Sequence, residues 1–61
     1  MKTYRVTTID WTYEKGKILS TTFVKGLKAA REASRVPLSW CVNANVWWGW
    51  DGYIEVIACE C

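Results

Sequence analysis

The stretch LSWCVNANVWWGWDGY, Leu38–Tyr53, contains four of the five tryptophans of the chain and decides the fold. Successive side chains of an extended strand point to opposite sides of a sheet. One side then carries Trp40, Val42, Ala44, Val46 and Trp48, and the other carries Cys41, Asn43, Asn45 and Trp47. A three-residue turn, Trp50-Asp51-Gly52, with Gly52 in the left-handed region, places Trp48 opposite Ile54. The stretch therefore predicts most of a β-hairpin in which Trp40 and Trp48 belong to the core.

The apolar residues of the last strand share one parity, namely Ile54, Val56 and Ala58. The predicted turn brings them onto the side of Trp40 and Trp48. On the opposite side, the same register pairs Trp47 with Glu55, Asn45 with Ile57 and Cys41 with Cys61.

A second hairpin is predicted at the N-terminus. Residues 3–13, TYRVTTIDWTY, are rich in β-branched and aromatic types, and residues 17–23 form the returning strand. A three-residue turn that ends at a left-handed Gly16 pairs Trp11 with Leu19, Ile9 with Thr21 and Thr7 with Phe23. Tyr4 and Val6 have the opposite parity from Ile9 and Trp11. This parity leaves open either a bulge near residues 7–8 or a strand whose start is covered on its other side.

One helix is predicted between the hairpins, in VKGLKAAREASR, residues 24–35. Thr21 or Thr22 is the expected N-cap. The helix should end by about Arg35, because Pro37 disfavours a helical conformation at the residue before it. Helical spacing turns Val24, Leu27, Ala30 and Ala33 or Ser34 toward the sheet. The fold class is α+β, a single β-β-α-β-β domain over residues 1–61 with an antiparallel sheet and the helix on one face.

Charge divides the chain into two halves. All eight Lys and Arg residues lie within residues 1–35 together with three acids, a net charge of +5, whereas residues 36–61 carry three acids alone. The division predicts one basic side and one weakly acidic side. The N-terminus has no apolar segment of the secretory type and no run is long enough to span a bilayer, so a cytoplasmic protein is expected.

Catalysis and metal binding have little support in the sequence. Histidine, the commonest general base, is absent, and no serine has an activating partner in the pattern. Cys41, Cys59 and Cys61 match no standard zinc spacing and lack a fourth ligand, so we interpret them as reduced thiols. We expect no enzymatic activity, no metal and no cofactor.

Binding is better supported, because the side of the sheet away from the helix is predicted to be aromatic. Trp47 and Ile57 should lie there, and Trp50 is at a turn tip where burial is difficult. Exposed apolar patches with polar rims mark interaction sites. The predicted partner-binding residues are Trp47, Trp50, Tyr53, Asn43, Asn45 and Ile57. A protein partner is favoured, and a second copy of the chain, which would form a homo-oligomer, is another way to cover this surface.

Single-stranded nucleic acid is the alternative partner. Exposed rings stack on bases, and basic side chains contact phosphates or an acidic partner. The candidates for such contacts are Lys25, Lys28, Arg31 and Arg35. Their predicted place on the helix, away from Trp47, would separate stacking from phosphate neutralisation and favours the protein partner.

The segment LKAAREASR, residues 27–35, lies between the two predicted hairpins. In this position and in its Leu27, Ala30, Arg31, Ala33 and Ser34 pattern, it resembles the helix of some short phage-encoded anti-CRISPR proteins with a β-β-α-β-β build. The tryptophan-rich hairpin is not part of that pattern. The resemblance implies a non-enzymatic inhibitor that occupies a surface on a bacterial host or defence complex.

Overall fold

Five antiparallel strands and one helix form the fold in the computed structural model, which describes residues 2–60. The elements are β1 (Thr3–Asp10), β2 (Lys17–Lys25), α1 (Leu27–Ser34), β3 (Ser39–Cys41), β4 (Val46–Trp50) and β5 (Ile54–Glu60). Their order in the sheet is β2-β1-β5-β4-β3, and α1 packs on one face against β1, β2 and β5. The predicted α+β class, with an antiparallel sheet and one helix, is confirmed. The observed order is β-β-α-β-β-β, which has one strand more than the predicted β-β-α-β-β order.

The additional strand arises from a turn over residues 42–45. Asn45 adopts a left-handed conformation, with φ 57, and its N–H donates to the Cys41 carbonyl at 2.8 Å. Asparagine tolerates this conformation better than most residues do. The predicted continuous strand through Asn43 and Asn45 is therefore wrong. Cys41 pairs with Val46 on β4, and its predicted partner Cys61 lies outside the described residues.

The turn between β4 and β5 determines which tryptophan lies on which face. The Asp51 N–H donates to the Ile54 carbonyl at 3.1 Å, and the Asp51 carboxylate accepts the Ile54 N–H at 2.8 Å. Gly52 has the predicted positive φ, 103. This turn lets Trp50 pair with Glu55, so Trp48 lies opposite Ile57 rather than Ile54. An offset by an odd number of residues inverts the faces, and the predicted positions of Trp47 and Trp48 are exchanged.

The β1–β2 hairpin also differs from its predicted register. The turn spans residues 11–16, and Gly16 has the predicted positive φ, 75. Thr7 pairs with Thr21 rather than with Phe23, and Ile9 pairs with Ile18, which leaves Leu19 as an extra residue on β2. The pairing of β1 with β5 is uninterrupted, so β1 itself alternates regularly. Tyr4 and Val6 are buried on the covered side of β1, which was the second of the two predicted alternatives. The bulge is on β2, at Leu19.

The helix is shorter than predicted at its start. Gly26 precedes it with φ 86 and no side chain caps it, because Thr21 and Thr22 belong to β2. The helix ends where the sequence predicted from Pro37, since the backbone of Arg35 adopts the left-handed conformation with φ 62. The buried Ser34 hydroxyl lies 2.8 Å from the Arg31 carbonyl and 2.7 Å from the Val36 carbonyl, so it closes the last turn.

The core lies between α1 and one face of the sheet. It consists of Tyr4, Val6, Ala30, Val56 and Ala58, with Leu27, Ile54 and Trp47 among the half-buried residues around it. The predicted sheet-facing Leu27 and Ala30, and the shared parity of Ile54, Val56 and Ala58, are confirmed. Beyond the helix, residues 36–38 cross β4 at Gly49, where an added Cβ would lie 2.6 Å from the Pro37 carbonyl oxygen. We call this side of the sheet the covered face.

Candidate functional site

The opposite side of the sheet, which we call the open face, is the side on which α1 does not pack. The register determines which residues lie on this face. Thr7, Ile57 and Trp48 are paired side by side on β1, β5 and β4, and each is next in sequence to a residue of the covered face. Its members are Thr3, Arg5, Thr7, Ile9, Ile18, Thr21, Phe23, Lys25, Ser39, Cys41, Val46, Trp48, Trp50, Glu55, Ile57 and Cys59. The side chains of Ile18 and Phe23 are each 63% exposed, which leaves large apolar groups in water.

One end of the open face is a cluster of three tryptophans around Glu55. The Trp11 indole N–H donates to one Glu55 carboxylate oxygen at 3.1 Å, and the Trp48 indole N–H donates to the other at 2.6 Å. The Trp48 and Trp50 rings are stacked, with centroids 6.5 Å apart and planes 7° from parallel. We call Trp11, Trp48, Trp50 and Glu55 the tryptophan–glutamate cluster.

Trp11 is held in this cluster by the turn that follows β1. Its backbone N–H donates to the Tyr53 carbonyl at 2.8 Å, which extends the β1–β5 pairing by one residue. Its ring packs against Gly16, where an added Cβ would lie 2.9 Å from the indole. The Asp10 carboxylate accepts the Thr12 hydroxyl at 2.7 Å and the Thr12 N–H at 2.9 Å. These two bonds, with a smaller contribution from Lys17, hold the pKa of Asp10 below its ordinary value.

Glu55 has indole donors instead of a cationic partner. Across residues 2–60, the one ion pair joins Lys2 and Glu60, 3.5 Å apart. Arg5 lies on the same face as Glu55, but it pairs with Cys59, whereas Glu55 pairs with Ile9. Four residues of strand, roughly 13 Å, therefore separate their rows. The cluster is a half-buried carboxylate fixed among aromatic rings, without a neutralising charge from the described part of the chain.

Trp47 lies on the covered face, so its predicted exposure on the other side is wrong. It packs edge-to-face on Trp40 at 5.6 Å between ring centroids, and the Arg31 guanidinium lies 5.1 Å from its centroid. Trp48 and Trp40, predicted to be core residues, are 39% and 48% exposed. Both errors follow from the missed Asn45 turn and the odd offset between β4 and β5.

The other predicted contact residues divide between the open face and the turns. Trp50 and Ile57 lie on the open face. Tyr53 is exposed in the turn beside Trp11, whereas Asn43 and Asn45 are exposed in the β3–β4 turn, away from the cluster. Their role in partner binding remains a prediction.

Of the predicted basic contact residues, one shares the open face. Lys25 lies at its corner on β2, opposite Thr3. Lys28 and Arg31 are on α1 and Arg35 ends that helix, so these three are on the other side of the sheet. The prediction that these cations lie away from Trp47 is wrong for Arg31, whose guanidinium lies over the Trp47 ring because both are on the covered face. The three cations are on the other side of the sheet from Trp48 and Trp50.

The sequence interpretation placed Glu55 on this face without assigning it a contact role, and it missed Trp11, Ile18, Phe23 and Trp48 as members of the site. One feature of the sequence does indicate them. In TYRVTTIDW, Tyr4 and Val6 have one parity, and Ile9 and Trp11 have the other. A strand that is apolar on both parities in a chain with a single helix leaves one apolar face without cover.

Across residues 2–60, no three His, Cys, Asp or Glu side chains converge as metal ligands. No helix in this part of the chain has the length and apolarity needed to cross a membrane. A shallow depression of about 360 Å³ lies on the open face between Arg5, Ile18 and Ile57.

Comparison of the chain with protein-family models, with curated protein sequences and with solved structures returns no match. The open face is therefore interpreted from its own chemistry.

Proposed function

We propose that this chain is a protein-binding domain that engages its partner through the open face and acts by covering a surface of that partner rather than by catalysis. The observation that carries the proposal is the exposure of five large apolar residues on the same face of the sheet, namely Trp11, Ile18, Phe23, Trp48 and Trp50. Soluble proteins seldom leave so many large apolar groups together in water unless a partner contacts them.

The composition of the face fits a protein interface. Tryptophan and arginine are enriched among residues that dominate binding energy, and here Trp48 and Trp50 stand near Glu55 with Arg5 further along the face. A paired sheet is already ordered before it binds. Little conformational entropy is then lost on association, which favours affinity.

The size of the face limits the interface that it can make. The molecule measures 36 × 22 × 17 Å, and the two longer dimensions, 36 × 22 Å, enclose roughly 800 Å². Stable complexes of standard size bury about 800 Å² on each partner. Because this rectangle is the upper limit for one face, a partner must cover nearly all of the open face to approach that size without contacting the helix.

The narrower proposal is that the partner belongs to a bacterial host or defence complex and that the chain is a phage-encoded inhibitor. Its support is the resemblance of α1 and of the order of elements. Because Leu27 and Ala30 of that pattern pack on the sheet, the helix resemblance concerns folding more than contact. Recovery of a subunit of such a complex as the partner would support this narrower proposal. Recovery of an unrelated partner would contradict it, and the broader proposal of a protein-binding domain would stand.

The test is affinity capture from host extract with two matched variants, followed by mass spectrometry. Trp50→Thr removes an exposed ring from the open face, and Trp40→Thr removes a comparably exposed ring from the covered side. We expect Trp50→Thr to lose the captured protein and Trp40→Thr to retain it, with circular dichroism confirming that both are folded. Equal capture by the wild type and Trp50→Thr would contradict the proposal.

Single-stranded nucleic acid is the second candidate, because Arg5 and Lys25 share the open face with the exposed rings. Two phosphate contacts predict binding about sevenfold weaker at 200 mM than at 50 mM salt. Glu55, at the centre of the tryptophans, opposes a phosphate backbone and makes the protein partner the better proposal. Fluorescence anisotropy with a labelled oligothymidine decides, and absence of binding at 50 mM salt would remove this candidate.

A further inference from the structure

We infer that the tryptophan–glutamate cluster is a receptor for an arginine side chain of the partner protein. The inference rests on the proposed function, since it names what the partner presents to the open face. It is carried by the hydrogen bonding of Glu55, by the shape of the site and by the absence of a nearby cation.

Glu55 has acceptor capacity left on both oxygens. Each oxygen receives one indole N–H, from Trp11 at 3.1 Å and from Trp48 at 2.6 Å. A carboxylate accepts about four hydrogen bonds, so roughly one acceptor position remains on each oxygen. The two indoles also fix the orientation of the carboxylate before any ligand arrives, which lowers the entropy lost on binding.

The remaining acceptors and the rings suit a guanidinium group better than an ammonium group. Arginine presents two parallel N–H donors that match the two oxygens of a carboxylate, and its plane stacks on aromatic faces. Trp48 donates to one of those oxygens and is stacked on Trp50, and both rings are partly exposed, so the outer faces of the stacked pair are open to a planar group. A lysine would bring one point charge and could not use both features.

The chain does not supply this cation to itself. Across residues 2–60, the one ion pair involves Glu60, and Arg5 is four residues away along the strand from the row of Glu55. Asp51 lies in the turn that adjoins the cluster, and the lysines near Trp11, Lys15 and Lys17, form no ion pair with Glu55 in the described part of the chain. A positively charged group from outside therefore complements the site.

The test uses small model compounds and the indole N–H signals of Trp11 and Trp48 in nitrogen-15 NMR spectra. The probe is N-acetyl-arginine methylamide, with the citrulline analogue as a neutral control of the same shape and the lysine analogue as a control for charge alone. We expect the arginine compound to shift both indole signals in a saturable manner, with at least about tenfold stronger binding than the citrulline compound. Equal responses to arginine and citrulline, or no response to arginine, would overturn the inference.

Two variants assign the response to Glu55. Glu55→Gln removes the charge, and Glu60→Gln removes a carboxylate outside the cluster as the matched control. We expect the first to lose arginine binding and the second to keep it. Should Glu55→Gln fail to fold, Trp50→Thr removes one stacking face without touching either hydrogen bond to Glu55, and it should weaken arginine binding as well. Wild-type affinity in a folded Glu55→Gln variant would contradict the role of Glu55.

The outcomes separate this inference from the proposed function. If the open face captures a partner but arginine compounds leave the indole signals unchanged, the arginine site is wrong and the binding domain stands. If arginine compounds bind but Trp50→Thr captures the partner normally, the proposed function is wrong. A second copy could also bring its own Arg5, so a wild-type dimer that Arg5→Gln dissociates in sedimentation experiments would overturn the assignment to a different protein.

Discussion

The two faces of the sheet use opposite kinds of side chain. The covered face contains Ala30, Ala58 and Gly49, which are small enough for the helix and residues 36–38 to approach the strands closely. The open face carries Ile18, Phe23 and the tryptophan–glutamate cluster, which could bury far more apolar area. A small domain that needed only stability would place its largest rings in the core. The reverse arrangement is the one that the proposed binding role of the open face requires.

Trp47 and Trp48 show the same contrast at neighbouring positions. Trp47 lies beneath the Arg31 guanidinium and against Trp40, so its neighbours are side chains of α1 and β3 on the covered face. Trp48 donates to Glu55 and stacks on Trp50, so its contacts lie within an exposed cluster. The first ring packs on the covered face, and the second orders the tryptophan–glutamate cluster.

The largest expected difference between the faces is at Val56 and Ile57, adjacent residues of β5. Val56 is fully buried on the covered face, and Val56→Ala should lower the free energy of unfolding by about 2 kcal/mol, because it removes buried methyl groups and leaves a cavity. Ile57→Ala, on the open face, should cost less than about 1 kcal/mol. Urea denaturation followed by circular dichroism measures both. A larger loss at Ile57 would mean that something covers the open face.

Gly49 tests how closely the covered face is packed. An added Cβ would lie 2.6 Å from the Pro37 carbonyl oxygen and 2.7 Å from Val36 Cγ2, so Gly49→Ala should cost about 1–3 kcal/mol and displace residues 36–38. Gly52→Ala is the control. It meets no atom within 4 Å, and it should cost about 1–2 kcal/mol through backbone strain at its positive φ alone.

Chemical shifts distinguish the two causes. Gly49→Ala should move the amide signals of residues 36–38, and Gly52→Ala should move only those of its own turn. Unchanged signals at residues 36–38 in Gly49→Ala would show that this segment does not press on β4.

The kinds of element could be predicted from the sequence because local chemistry determines them. β-branched runs gave strands, the Ala-rich segment gave α1, Pro37 ended it, and Gly16 and Gly52 have the predicted positive φ. The turn at Asn45 was missed although asparagine favours it, because alternation of apolar residues across residues 40–48 also fits a continuous strand.

The register could not be predicted, for a physical reason that also concerns the site. Strand register is specified when one face is apolar and the other polar. Here both faces are apolar, so a register with Trp47 inside and one with Trp48 inside look equally acceptable in the sequence. The prediction placed Ile57 and Glu55 on the open face and Trp50 in a turn, whereas the hydrogen bonds from Trp11 and Trp48 to Glu55 are visible only in the structure.

A smaller effect is expected at Arg31, which belongs to the covered face through Trp47. Its guanidinium lies over the ring at 5.1 Å while remaining exposed, so Arg31→Gln should cost about 0.5–1 kcal/mol. Lys28, on the same helix and equally open to water, is the control, and Lys28→Gln should change stability by less than about 0.5 kcal/mol. Thermal unfolding of both variants checks this, and equal melting temperatures would remove the cation–π contribution.

The smallest expected effect concerns the turn that leads from one face to the other. Asp10 is on the covered-face parity and Trp11 is in the open-face cluster, and the bonds from Thr12 to the Asp10 carboxylate hold the turn between them. Since these bonds lower the pKa of Asp10 in the folded state, their contribution is complete at neutral pH and is lost as the pH falls through that lowered pKa. Solvent screens this exposed group, so the change in stability should be slight.

The sharper observable is the titration itself. Thr12→Val removes the hydroxyl donor and should raise the pKa of Asp10 toward its ordinary value, whereas Thr12→Ser keeps the hydroxyl and should leave the pKa low. Carbon-13 NMR of the Asp10 carboxyl group measures both titrations. If the turn holds Trp11 in place, the Trp11 indole signal should titrate with the same midpoint and move with it in Thr12→Val. A Trp11 signal that ignores Asp10 would mean that Gly16 and the strand pairing alone place this ring on the open face.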